Sequence, residues 1–211
     1  MKTIIAAMAM LLLTIGSGSA ETYVEGTHYH TLPPPFQAPA SGGIEVRYFF
    51  WYGSAHSQNM HPAVNAWEQR LPSGISLVRT PAIWNELMKT HATAFYALET
   101  LRVSDHVRDA AFREMKLTKK KLPSETQLQP FYTSQGISAQ AFSTAFRSYG
   151  VARKVGQAQS MSRDAGVRGL PTFVVGGKYR VERANGQIDP RTQLSIVDFL
   201  VNKVVNERRS Y

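Results

Sequence analysis

The stretch that decides the reading is VRYFFWYGSAHSQNMHP, residues 46–62. Five successive aromatic residues, Tyr48, Phe49, Phe50, Trp51 and Tyr52, run into a break at Gly53, and Ser-Ala-His-Ser follows. Read outward, IEVRYFF from Ile44 is rich in β-branched and aromatic residues and bounded by Gly43 and Gly53, which suits a buried central strand. Residues 54–70 are expected to be helical, with Ser54 placed to cap the N-terminus and Pro62 to kink the helix. The aromatic run reads as core strand, with Trp51 and Tyr52 able to rim whatever site the strand end supports.

PSGISLVRTP, residues 72–81, supplies a turn and then a second strand over 75–80. From Ile83 to about Arg147 the apolar spacing becomes helical, as in Phe95, Leu98 and Leu101 or Phe112 and Met115, with breaks near Ser104, Pro123 and Gly136. A further helix over 151–165 ends at Gly166. GLPTFVVGGKYRV then reads as a hairpin of strands 172–175 and 178–182 around Gly176 and Gly177. A last amphipathic helix over 190–207 places Leu194, Val197, Leu200, Val201 and Val204 on one face. Strand, helix, strand, several helices, then helix, hairpin and helix make an α/β protein with a helical insert.

The 211 residues, 43% hydrophobic and 18% charged, suit one globular domain carrying an insertion. Lys2, the apolar run from Ile4 to Ile15 and the small residues Gly18 and Ala20 read as a secretory signal peptide over residues 1–20, its apolar part shorter than the ~20 residues that span a bilayer. No later segment is apolar enough for stable membrane insertion. Removing the leader takes away one lysine and lowers the formal charge from +9 to +8. The cations are scattered except in KLTKKK, residues 116–121, which reads as a solvated helix end and loop; no nucleic-acid module is present. Residues 31–43, with four prolines and two glycines, read as an extended lead-in. The chain has no cysteine, which excludes disulfides, thiol catalysis and thiolate metal sites.

With these segments in order, the chain resembles the DsbA family of periplasmic thiol:disulfide oxidoreductases. YVEGTHYHTL (23–32) is similar to the family's opening segment, EVRYFFWYGSAHS (45–57) to its strand leading into Cys-x-x-Cys, and GVRGLPTFVVGGKY (166–179) to its cis-proline loop and hairpin. The resemblance implies a thioredoxin-like fold, a mixed central sheet flanked by helices with an inserted helical domain. It divides the chain into a leader (1–20), a lead-in (21–43), a first thioredoxin-like part (44–82), the insertion (83–147) and a second part (148–211). It puts Ser54 and Ser57 where the two redox cysteines stand, with Ala55 and His56 between them. Pro171, after Leu170, matches the proline with a cis peptide bond, and Tyr48 stands where the family carries a buried acidic residue.

A thiolate attacks a disulfide through a mixed disulfide, and a helix N-terminus makes that thiolate available near neutral pH. Serine oxygen does neither, so the resemblance implies the scaffold without its chemistry. His56, two residues from Ser54, faces another side of a helix and makes a poor base for it. Histidines 28, 30, 56 and 61 lack ligand spacing, so no metal and no cofactor is expected. What the resemblance leaves is a peptide-binding face of Ser54, His56, Ser57, Leu170, Pro171 and Thr172, whose loop offers main-chain groups to an extended chain. The expected partners are unfolded or partly folded exported polypeptides in the periplasm. The alternatives are one specific periplasmic protein docked on the basic helical insert, or a cysteine-to-serine form of a true oxidoreductase.

Overall fold

A computed structural model of the chain describes residues 22–33, 43–182 and 189–210. The leader and most of the proline-rich lead-in lie outside the described residues. Strand β2 (Ile44–Phe50) is an interior strand, one in from the edge, of a five-stranded sheet ordered β1-β5-β4-β2-β3. It pairs in parallel with β3 (Ile75–Pro81) and antiparallel with β4 (Thr172–Val175). β4 continues through a tight turn into β5 (Tyr179–Glu182), and the two-residue β1 (His30–Thr31) closes that edge. Both central glycines of the turn have positive φ, 58° at Gly176 and 68° at Gly177, as a primed hairpin turn requires.

Because strand side chains alternate, β2 feeds two cores. Val46, Tyr48 and Phe50 point into the larger one with Val64 and Trp67 of α1 (Ala55–Glu68) and Leu200 and Val204 of α8 (Pro190–Arg209). Phe49 points the other way, with Met88, Ala165, Leu170 and Val174. The second half of β2, Tyr48–Phe50, is therefore buried on both faces and reads as an unbroken aromatic run, whereas Glu45 and Arg47 nearer its start are half-buried.

Between β3 and β4 lie six helices: α2 (Glu86–Thr100), α3 (Asp105–Arg108), α4 (Ala110–Thr118), α5 (Glu125–Ser134), α6 (Ala139–Phe146) and α7 (Tyr149–Asp164). α2 is their hub, packing on α5, α6 and α7 and returning to the sheet at β3. The expected faces are real: Phe95, Leu98, Phe112 and Met115 are buried, and Ser104 stands at the N-cap position of α3 without a side-chain capping bond, while Gly136 follows α5 with a φ of 91°. α1 runs through Pro62 as one helix. Trp67 Nε1–H donates to Asp198 at 2.7 Å, tying α1 to α8.

Candidate functional site

The site forms where β2 ends and α1 begins. After Phe50 the chain turns, Ser54 N–H donating to the Trp51 carbonyl at 3.0 Å. Gly53 is required there, since a Cβ would lie 2.4 Å from the Trp51 ring. Ser54 has an extended backbone and its Oγ accepts from Ser57 N–H at 3.2 Å, the N-cap arrangement that satisfies an otherwise orphaned helix donor. Ser57 Oγ in turn accepts from Trp51 N–H at 3.4 Å, and Gln58 Nε2–H reaches the Tyr52 carbonyl at 2.8 Å. Both serine hydroxyls therefore serve the backbone of the turn.

Their exposures differ. Ser57 is fully buried, Ser54 is half-buried, and Ala55 and His56 are exposed. No hydrogen bond joins His56 to Ser54 among the described residues, so a base-activated serine is not assembled. Beneath Ser57 lies Tyr48, whose buried hydroxyl has no hydrogen-bond partner of ordinary geometry among the described residues. Burial pushes this phenol well up, against smaller opposing effects from Arg79 and from the nearby Ser57 side chain. It is a neutral group at any physiological pH.

The second loop meets the first through the strand register, which sets Thr172 opposite Phe49. The Leu170–Pro171 peptide bond is cis. Leu170, Pro171 and Thr172 have buried side chains, Leu170 packing on Phe49 and Thr172 Oγ1 donating to the Gly169 carbonyl at 2.8 Å. The buried Gln193 of α8 donates to the Pro171 carbonyl at 3.2 Å and holds the loop from behind. The backbone N–H and C=O of Leu170 take no hydrogen bond from another described residue. The first loop thus presents Ser54 and His56 by side chain, while the second offers the unpartnered main chain of Leu170, a residue 8% exposed.

Of the two aromatics at the strand end, only Trp51 rims the site. Tyr52 is 2% exposed, stacks edge-on against Phe112 and donates its hydroxyl to the Arg108 carbonyl at 3.0 Å. Trp51 is half-buried, and its Nε1–H donates to His91 Nδ1 at 2.9 Å. That bond makes Nδ1 the acceptor, so Nε2 carries the proton and donates to the Lys121 carbonyl at 2.8 Å and to that of Leu122 at 3.2 Å. Burial lowers the His91 pKa, outweighing these carbonyls, and keeps the ring neutral.

The four histidines considered as ligands do not converge. His28 Nδ1 accepts from Val24 N–H at 2.9 Å, and His61 Nε2 lies 2.7 Å from Asp109 Oδ2. Among the described residues no three His, Asp or Glu side chains group as a metal site.

Residues 36–196 match the family described as DSBA-like thioredoxin domain. The chain belongs to that family. It is 29% identical over 198 residues to the thiol:disulfide interchange protein DsbA of Pseudomonas aeruginosa, covering 94% of this chain and 93% of that protein. The Burkholderia cepacia protein of the same name is 30% identical over 209 residues, covering 95% and 98%. In three dimensions the chain is similar to the crystal structure of Pseudomonas aeruginosa DsbA, with a TM-score of 0.84 at 28% identity over 89% of this chain and 97% of that one. Xylella fastidiosa DsbA follows at 0.78 and 27%, covering 87% and 98%. The fold is accordingly the thioredoxin fold with a helical insert, here in a DsbA-like chain without a single cysteine. Thiol:disulfide exchange by its own side chains is closed to it.

Sequence reading missed three parts of this site. Gln193 lies on the last helix and His91 on the insert, both distant in sequence from the turn they brace. The third is a cleft of about 320 Å³ beside the α1 N-terminus, walled by Trp51, Leu87 and Met115 and bordered by Lys119, Lys120 and Lys121. The cluster KLTKKK was the available signal, and its position over the turn is a tertiary fact.

Proposed function

We propose that this DsbA-like chain is an exported polypeptide-holding factor of the periplasm, one that keeps the family's binding face and performs no thiol chemistry. The observation that carries the reading is the unpartnered main chain of Leu170 beside the exposed start of α1. An extended peptide laid along that loop adds hydrogen bonds as an extra strand does, with affinity from main chain and selectivity from neighbouring pockets. Export to the periplasm is supported by the leader-like residues 1–20 and by kinship with thiol:disulfide interchange proteins.

The serines fit this role because they retain the turn. Ser54 and Ser57 satisfy the same backbone donors that fix the loop's shape, yet form no covalent bond to a bound chain. Release is then governed by dissociation alone.

The test is fluorescence anisotropy of a labelled, unfolded polypeptide that itself lacks cysteine. Saturable binding, unaffected by reductant and absent for the same polypeptide when folded, is the expected result. No binding at concentrations that saturate polypeptide-holding proteins would remove the proposal.

A further inference from the structure

We infer that the cleft beside the α1 N-terminus selects acidic segments of the bound polypeptide, taking an apolar side chain onto its apolar lining and a flanking carboxylate onto its lysine border. This rests on the polypeptide-holding reading and names its preferred substrate. Three independent features of the cleft support it.

The first is shape and chemistry. A volume of about 320 Å³ is at the small end of the roughly 300–1,000 Å³ of ligand clefts, room for a side chain or two. Its apolar lining is Trp51, Leu87 and Met115, and Ala55, exposed in the first turn of α1 one residue after Ser54, lines it too.

The second is charge. Lys119, Lys120 and Lys121 all line the cleft and are exposed, and among the described residues no Asp or Glu lines it. Lys120 has a loose contact with Glu114 at 3.8 Å, whereas Lys119 and Lys121 form no ion pair among the described residues. The first turn of α1 also lacks an acidic residue, so its N-terminal positive potential adds to that of the lysines.

The third is that the lysine turn is held in place. Lys119 ends α4 in the left-handed region with a φ of 60°, Leu122 follows with a φ of 45° and is buried, and His91 ties the Lys121 and Leu122 carbonyls to Trp51. A solvated helix end needs no such brace. The apolar lining and the lysine border of the cleft are thereby fixed to each other through one imidazole.

Two short unstructured peptides test the inference, each with a central Leu-Phe pair, flanked in one by glutamates and in the other by glutamines. Both are titrated into the purified protein and into the Lys119→Gln/Lys121→Gln variant, with affinity and NMR shift maps recorded. Lys116→Gln, on an exposed α4 lysine outside the cleft, is the control. The expected result is roughly three- to tenfold tighter binding of the glutamate peptide, the effect of one or two exposed ion pairs. That preference shrinks with added salt, disappears in the double variant, survives in the control, and comes with shifts at Ala55, Trp51 and residues 119–121.

Equal binding of the two peptides, with shifts at residues 54–57 and 170–172 only, overturns this inference while leaving the polypeptide-holding reading standing. Binding of neither overturns both. If inorganic phosphate or free glutamate reproduces the same shifts at the same concentration, the cleft is an anion site without a polypeptide preference, and the inference falls.

Discussion

At the scale of single residues, the exchange of sulfur for oxygen at positions 54 and 57 is accommodated by the backbone. Ser54 acts as a helix cap, so Ser54→Ala should cost about 1 kcal/mol in chemical denaturation, while Ser54→Asp should cost little because a carboxylate caps the same donor. Equal stability of Ser54→Ala and wild type would mean the cap contributes nothing. Tyr48 makes the opposite prediction. Its hydroxyl is buried with no partner of ordinary geometry among the described residues, so Tyr48→Phe removes an unpaid desolvation and should be neutral or stabilising by up to about 1 kcal/mol. A loss of more than about 1 kcal/mol would show instead that the phenol bonds Ser57 in solution. The significance of positions 48, 54 and 57 was legible in the sequence only through the resemblance to the DsbA family. The burial of Tyr48 was legible with its strand, but that of Ser57 was not, because it depends on the turn folding Ser57 back onto Trp51 and Tyr48. The same limit explains Tyr52, which adjacency to Trp51 places at the rim but which the insert, through Phe112 and Arg108, draws into the core.

At the scale of elements, strands and helices with a strong periodic signal came through almost unchanged. β2 and the hairpin β4–β5 carry alternating or unbroken apolar patterns between glycines, and α8 carries an apolar stripe after Pro190, so local physics and tertiary need agree there. β1 has two residues and no pattern of its own; it exists because β5 offers an edge to pair with. The KLTKKK segment shows the same dependence, since charge count alone favours a solvated loop and only the bracing from α2 brings it over α1. That brace is testable. His91→Leu would leave the Trp51 indole N–H and the Lys121 carbonyl without their partner, and we expect a loss of about 2–4 kcal/mol together with broadened resonances for residues 119–122. A variant as stable as wild type, with those resonances unmoved, would show that the turn is held by other means.

At the scale of the whole molecule, stability should fall with acid in two stages. His91 has its pKa lowered from an ordinary 6.5, so folding favours its neutral form. Its contribution is complete above that value and is lost as pH falls through the folded pKa. Asp109 is also lowered: burial opposes, but the His61 hydrogen bond and charge and the Asn65 bond outweigh it. Glu207, despite the opposing effect of burial, is held at about 2 by Lys178, Tyr179 and Lys203. Both carboxylates stabilise the fold above their unfolded values, near 4, and lose that contribution as pH falls toward their folded ones. Urea midpoints recorded from pH 7 to pH 3 should therefore decline gently below about 6.5 and steeply below about 4, and His91→Leu should remove the gentle limb. A flat profile above pH 4 would contradict the neutral, buried state of His91. The overall design joins a DsbA-like scaffold to a motif with no thiol. The central claim is that the two loops of the candidate site still bind polypeptide. It is tested most directly by NMR titration of the protein with an unfolded, cysteine-free exported polypeptide, reading every assigned backbone amide. Shifts concentrated at residues 54–57 and 169–172 are the predicted result. A saturable interaction whose shifts avoid both loops, or no shift at millimolar concentration, would contradict it.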